Sequence, residues 1–372
     1  IINEYIPKLK DKNIKQVVKD YLSKDENLKQ QVIKNYGPIN SWDVSQVTNM
    51  KELFNNYQHF NEDISNWNVS NVTNMQEIFL HAESFNQSLN DWNVSNVTDM
   101  SHMFFCAYAF DQPLNNWNVC NVTNMEAIFG AAETFNQPLN NWDVSKVTDM
   151  RGMFLHAFNF DQPLDEWNVS NVEYMNSMFA NALSFNQPLN NWNVSNVTDM
   201  FAMFNSATKF NQPLDNWNVS NVNDMAGTFC VAKSFNQLLN NWNVSNVTNM
   251  EAMFDNCRNF NHPLNNWNVS KVTSMGAMFD EAKSFNQPLN NWNVSNVTNM
   301  SGMFYAATNF NQSLNNWDVS NVTNMEKMFF DAYNFDIQEN APWYVESRLE
   351  SNDESDDESN DESDNESDNE SD

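Results

Sequence analysis

One 25-residue sentence is written twelve times along this chain. Trp stands at 42, 67, 92, 117, 142, 167, 192, 217, 242, 267, 292 and 317, always 25 residues apart. If each unit is counted from its leading Phe as position 0, Trp is position 7. Position 0 is Phe from Phe60 to Phe335 and position 19 is Phe from Phe54 to Phe329. Position 15 is Met from Met50 to Met325, position 4 is Leu or Ile64, and position 22 is almost always Ala. The two Met columns hold all 20 Met, and the two Phe columns hold 24 of the 28 Phe. One such unit cannot bury its apolar side chains alone, whereas stacked units can, each column then becoming a ladder along the stack.

Two spacings occur inside the unit. In "WNVS" Trp and Val are two apart, a short strand signal. From position 15 the apolar residues fall at +3, +4 and +7, as in Met300, Met303, Phe304 and Ala307, which is a helical stripe. The "NQP" stretch supplies a turn. The predicted fold is an α/β solenoid: a leucine-rich-repeat-like, right-handed coil of twelve 25-residue units, each a short strand plus a short helix or helical turn, with a helical N-terminal cap. Strands aligned at a step of roughly 4.8 Å give a rod or gentle arc of about 50 Å. Asn columns such as Asn68, Asn71 and Asn74 are expected to bond to one another and to turn backbone. The Trp column is expected inside. An outward aromatic ladder is the alternative, disfavoured because soluble proteins rarely expose such a stripe.

The ends depart from the repeat, and four regions follow: a helical N-terminal cap at 1–38, the repeats at 39–337, a C-terminal cap at 338–349 and a disordered acidic tail at 350–372. In the first, Ile14, Val17, Val18, Tyr21 and Leu22 share one helical face, Leu28, Val32 and Ile33 another, and Gly37-Pro38 stops the second. Trp343, Tyr344, Val345 and Leu349 are expected to cover the last coil. The tail holds thirteen acids and no Lys or Arg, a composition that cannot build a core.

Formal net charge is −30, which disfavours nucleic acid and anionic membranes as partners. Residues 1–34 alone carry eight Lys against five acids. No run of 18 apolar residues occurs, so no membrane insertion is expected. Cys106, Cys120, Cys230 and Cys257 form no pair motif. His59, His81, His102, His156 and His262 share no register that would converge on a metal. With no phosphate loop and no local irregular cluster, no catalytic, cofactor-binding or metal residues are assigned, no cofactor is implied, and the chain is expected not to be an enzyme. Positions 16–17, 20–21 and 23–24 vary from unit to unit and are expected to face solvent. Phe105, Phe158, Phe201 and Phe330 fall outside the Phe columns and are expected to add exposed aromatic contacts.

The unit "FNQPLNNWNVSNVTNMxxMFxxA" resembles the BspA-like surface-protein repeats, a 25-residue repeat also known as a domain of unknown function in mycoplasma lipoproteins. The resemblance covers about residues 39–337. The opening "NYGPINSWDVSQVTNMKELF" resembles the start of such arrays in proteins of protists and their large DNA viruses. The resemblance implies a leucine-rich-repeat-like solenoid with a surface or adhesion role by protein–protein contact, and carries no catalytic residues. The functional expectation is a non-enzymatic protein-binding or adhesion solenoid, surface- or virion-associated. A structural self-associating repeat protein or an intracellular interaction scaffold is the alternative. The partner is expected to be a protein, with homo-association allowed. The chain opens at Ile1 with no apolar signal segment, so a surface or virion location requires a signal ahead of it, and a cytoplasmic one does not.

Overall fold

The structure is a computed structural model and describes residues 7–345. The acidic tail and Leu349 lie outside the described residues. Twelve coils follow one another, each laid on the last. A single hydrophobic core runs through them from Leu9 to Ala341.

The coil is made of turns. In residues 75–82, every second amide bonds outward to the next coil: Met75 N–H to Asp99 O (3.0 Å), Glu77 to Ser101 (2.9 Å), Phe79 to Met103 (3.0 Å) and His81 to Phe105 (2.8 Å). The amides between them bond back three residues, Ile78 to Met75 O, Leu80 to Glu77 O and Ala82 to Phe79 O. An α-helix bonds every amide four residues back within itself. Here that ladder is broken because positions 17 and 21 take positive φ in every coil, as at Glu77 (57°) and His81 (55°). The left-handed residues reverse the chain's curl each time, so Met75, Ile78, Phe79 and Ala82 all turn inward without a helix forming, and all four are fully buried.

The "WNVS" stretch forms no strand. It is closed into local turns instead, Trp92 N–H bonding to Leu89 O and Val94 O accepting from Val97 N–H, both spans of three residues. Coils pair in parallel only at position 14, through Asn49, Asn74, Asp99, Asn124 and so on to Asn324. The expected α/β leucine-rich-repeat-like solenoid is therefore corrected. No strand occurs among the described residues, and their helices are α1 (Ile14–Tyr21), α2 (Glu26–Tyr36), a single 3-10 turn at Ile39–Ser41 and the short α3 (Ile337–Asn340), all at the two ends.

Side chains complete the stacking. Each Trp from Trp67 to Trp317 is buried and donates its indole N–H to the position-4 carbonyl of the preceding coil, as Trp67 to Ile39 (2.8 Å) and Trp192 to Leu164 (2.9 Å), while the buried Trp42 donates to Gly37 O. The Trp column thus lies inside, where an unpaired indole N–H would be costly. The rings form ladders, Phe79 on Phe104 at 5.5 Å and Trp167 on Trp192 at 6.4 Å.

The N-terminal end is closed by α1, α2 and the strip before them. Ile14, Val17, Val18 and Tyr21 pack inward from α1, with Tyr21 edge-on to Trp42 at 5.3 Å. Leu9 donates its amide to Asp43 O, Lys10 pairs in parallel with Gln46, and the Asp11 carboxylate accepts from Thr48 N–H, Thr48 Oγ1 and Asn49 N–H. At the other end Trp343 extends the Trp column, stacking on Trp317 at 6.2 Å and donating to Leu314 O.

Candidate functional site

The polar side chains of the coil are largely spent on backbone. Asn at position 8 accepts from the amide two residues on, as Asn68 from Ser70 (3.2 Å). Asn at position 11 donates to the preceding coil, as Asn71 to Ser45 O (2.8 Å). Position 14 closes a turn, as Asn74 with the Gln76 amide (2.9 Å). Position 1 ties coils together, Asn61 Oδ1 accepting from the Asn86 amide and from Gln87 Nε2. The expected Asn ladders thus bond mainly to backbone, each amide group closing a turn or bridging to the adjacent coil.

The five His do not converge. His81 and His156 occupy left-handed position 21, His102 occupies left-handed position 17, and His59 and His156 are exposed. Among the described residues no three His, Cys, Asp or Glu are placed to hold a metal ion. All four Cys are free thiols, Cys106 and Cys257 being buried. Of the Phe outside the columns, Phe201 and Phe330 are exposed, whereas Phe105 and Phe158 are half-buried. Phe105 lies over Gly130, where a β-carbon would come within 2.5 Å of its ring.

Among the departures from the repeat on the outer surface, which include the exposed Leu183, Phe201 and Leu238, two groups bring charged and aromatic side chains together. The first is mid-stack. Arg151 pairs with Asp149 and Glu126 and lies over the Tyr174 ring at 5.6 Å, so its charge is already matched. The second is a file at position 20 near the C-terminal end, where consecutive coils present Cys230, Asp255, Asp280, Tyr305 and Phe330. Their backbones are joined by bonds from Val231 N–H to Asp255 O, Asn256 to Asp280 and Glu281 to Tyr305, then from Ala306 to Phe330. Cys230 Sγ donates to Asp255 Oδ2 at 3.5 Å. Burial, then the Asp255 charge, pushes the Cys230 thiol up to about 12, which leaves it protonated and unreactive. Burial, then the neighbouring charges of Asp255 and Glu281, pushes the Asp280 carboxyl up to about 7. Tyr305 stacks on Phe330 at 5.4 Å, with Phe330 and Tyr333 exposed. Sequence reasoning singled out Phe330 alone. The rest of the file becomes visible only when the variable positions are read down the stack at 25-residue intervals.

A family model matches the chain three times over, at residues 23–142, 126–242 and 227–343. The chain belongs to the family described as "Mycoplasma protein of unknown function, DUF285". No curated protein matches it. Among solved structures, the crystal structure of a TLR13–ssRNA13 complex aligns at 10% identity over 78% of this chain and 54% of that one, with a TM-score of 0.24. The chain therefore spans about half the length of that structure, and so low a score carries no argument about fold or ligand.

Membership in the DUF285 family corrects the resemblance to BspA-like leucine-rich-repeat surface proteins, because the matched family has no stated function and the coils have neither the strand nor the helix of that repeat. The expected protein-binding or adhesion solenoid at a surface or virion is corrected with it. So are the alternatives of a self-associating repeat protein and an interaction scaffold, since each was drawn from a leucine-rich-repeat architecture that is not formed. Among the described residues no helix is long and apolar enough to cross a membrane.

Proposed function

We propose that this DUF285 chain is a non-catalytic spacer, a stiff column that holds the segments on either side of it at a fixed separation. The observation that carries this reading is the unbroken series of backbone bonds from coil to coil, from Phe54 N–H to Ile78 O through Phe304 N–H to Met328 O. The same register repeats every 25 residues around one continuous core. A chain whose coils touch only their neighbours resists bending in proportion to those contacts, and its length is set by coil number. The non-catalytic part is supported by where the polar groups go: amides and hydroxyls that could serve a substrate already cap turns or bridge coils. We take any partner to be a protein, met by exposed side chains outside the repeat pattern.

The reading is tested by removing two whole coils, residues 160–209, which joins the chain in register. Small-angle scattering should show the maximum dimension shortened by about 10 Å, with one cooperative melt retained. A length that changes with salt between 50 and 500 mM (on the order of the range over which surface charges are screened), or a deletion that leaves it unchanged, overturns the spacer.

A further inference from the structure

We propose that the acidic and aromatic file at Asp255, Asp280, Tyr305 and Phe330, with Tyr333 beside it, is a docking surface for a lysine- or arginine-bearing segment of another protein. The proposal goes beyond the spacer reading and does not depend on it.

The apolar half of the file comes first. Phe330 is 52% and Tyr333 77% exposed, the two aromatics most open to solvent among the described residues. Phe330 is not isolated, because it stacks on Tyr305 with ring planes 18° apart, and the Tyr333 hydroxyl, bonded to Asp331, lies close enough to Tyr305 to interact with it electrostatically. An exposed contiguous aromatic surface on a folded chain marks a contact site more often than an isolated exposed ring does.

The charged half decides the occupant. Asp255 and Asp280 stand on adjacent coils in the same file, and among the described residues no Lys or Arg pairs with either. On the Asp255 and Asp280 coils themselves, Arg258 pairs with Glu281 at 2.6 Å and Lys283 with Glu281 at 3.9 Å. Asp280 is half-buried beside two other acids and resists ionising for that reason. A guanidinium or ammonium set between Asp255 and Asp280 supplies the missing charge, while its neighbour along the file meets the faces of Tyr305 and Phe330. An anionic or purely apolar partner has no such match. General acidity does not explain the place: the mid-stack acids Asp149 and Glu126 already have Arg151, and no aromatic pair stacks beside them. The chain's own lysine-rich cap stands about 50 Å away at the opposite end of the stack, so it cannot fold back onto this file.

The test uses the full chain and a fluorescein-labelled Gly-Ser peptide bearing two arginines, followed by anisotropy. The same peptide with glutamines is the control. The combined Asp255→Asn and Asp280→Asn variant, and separately Phe330→Ser, should each weaken binding by about tenfold. Glu166→Gln with Asp215→Asn, exposed acids elsewhere on the stack, should leave it unchanged. Unchanged melting temperatures show that the variants remain folded. Equal binding by wild type and the file variants, or equal weakening by the control pair, assigns the affinity to overall charge and overturns the proposal. Tighter peptide binding by Arg348→Gln, a position outside the described residues, makes that arginine the occupant and overturns it too. So does self-association in sedimentation that the Asp255 and Asp280 variant abolishes, which makes the occupant a second copy.

Discussion

The two ends of the stack carry the same letters and are closed to different degrees. At the N-terminal end Val44, Val47 and Met50 are fully buried. At the C-terminal end their counterparts Val319, Val322 and Met325 are only half-buried. The cause is what lies on each. Residues 9–11 run along the outside of the first coil like a fragment of a coil before it, and supply backbone and carboxylate partners as far as Asn49. At the C-terminal end α3 bonds to the start of the last coil, where Leu314 N–H meets Asn340 O and Asn315 Nδ2 meets Glu339 O, while Trp343 and Tyr344 reach as far as the Phe329 ring. A coil is thus as stable as its neighbours make it, and an end is as stable as its cover.

That comparison predicts a gradient along one column. Trp192→Ala, in the middle, should destabilise by about 3–5 kcal/mol, because it leaves a cavity between two coils and removes one of the two donors to the Leu164 carbonyl. Trp343→Ala, at the half-covered end, should cost about 1–2 kcal/mol, since less of its ring is removed from water. Chemical denaturation of both variants measures the difference, and equal losses would show that coil position does not govern stability.

The N-terminal cover has its own weak point. Asp11→Ala removes the acceptor of three bonds to Thr48 and Asn49 and should cost about 1–3 kcal/mol. Burial raises the Asp11 carboxyl, but the bonds from Thr48 and Asn49 outweigh it and hold its pKa below the ordinary value. A carboxyl depressed in the folded state stabilises above the unfolded pKa, and the gain is lost as pH falls through the folded value. Wild type and the variant should therefore converge in melting temperature as pH falls below the ordinary carboxylate range. Amide exchange around Thr48 should rise in the variant toward the rate found around Thr323, which would bring the two ends to parity.

The sequence made the inward columns and the α1 and α2 faces legible, because burial repeats at fixed intervals: Trp192, Met200, Met203, Phe204 and Ala207 are all buried. The path of the backbone between them was not legible. Apolar residues at +3, +4 and +7 face one side of an α-helix, and they also face one side of a run of turns that doubles back every four residues. What separates the two is the sign of φ at positions 17 and 21. Those positions hold Glu, His, Ala, Ser, Asn, Lys, Cys, Asp and even Val, with Gly only at 152, 227 and 302. Without a glycine signature the left-handed residues leave no trace in one unit. Likewise "WNVS" alternates like a strand, yet its neighbours lie against it through side chains, so no ladder of backbone bonds forms. The outer file at position 20 was missed because its members are 25 residues apart and share no chemistry until stacked.

The left-handed positions offer a smaller test in which stability should rise. Val231 holds φ 58° with a β-branched side chain, the costliest kind of residue for that region. Val231→Asn keeps the backbone and relieves the crowding, and should stabilise by about 1 kcal/mol. Gly152→Ala, at φ 55°, should lose about 1 kcal/mol or less, since Ala127, Ala202, Ala252 and Ala277 already occupy the same position in other coils with positive φ. If Val231→Asn destabilises, the turn run at that coil is not left-handed at position 21.

The smallest effect is expected near the exposed C-terminal end, at Asp280, and it should reverse the usual acid response. Burial, then Asp255 and Glu281, raises its folded pKa from the ordinary carboxylate range to about 7. The protonated carboxyl is favoured by the fold, so its contribution is fully present below the unfolded pKa and is lost as pH rises through about 7. Glu281 is partly neutralised by Arg258 and Lys283, and the Cys230 thiol is uncharged across this range, so Asp255 is the neighbour that matters most. Asp280→Asn, which mimics the protonated form, should therefore raise the melting temperature at pH 8 and leave it nearly unchanged at pH 4. Because the side chain is half-exposed, solvent screens the repulsion and keeps the shift modest. An equal shift at both pH values would mean that Asp280 ionises as an ordinary surface acid, and that its file holds no unbalanced charge.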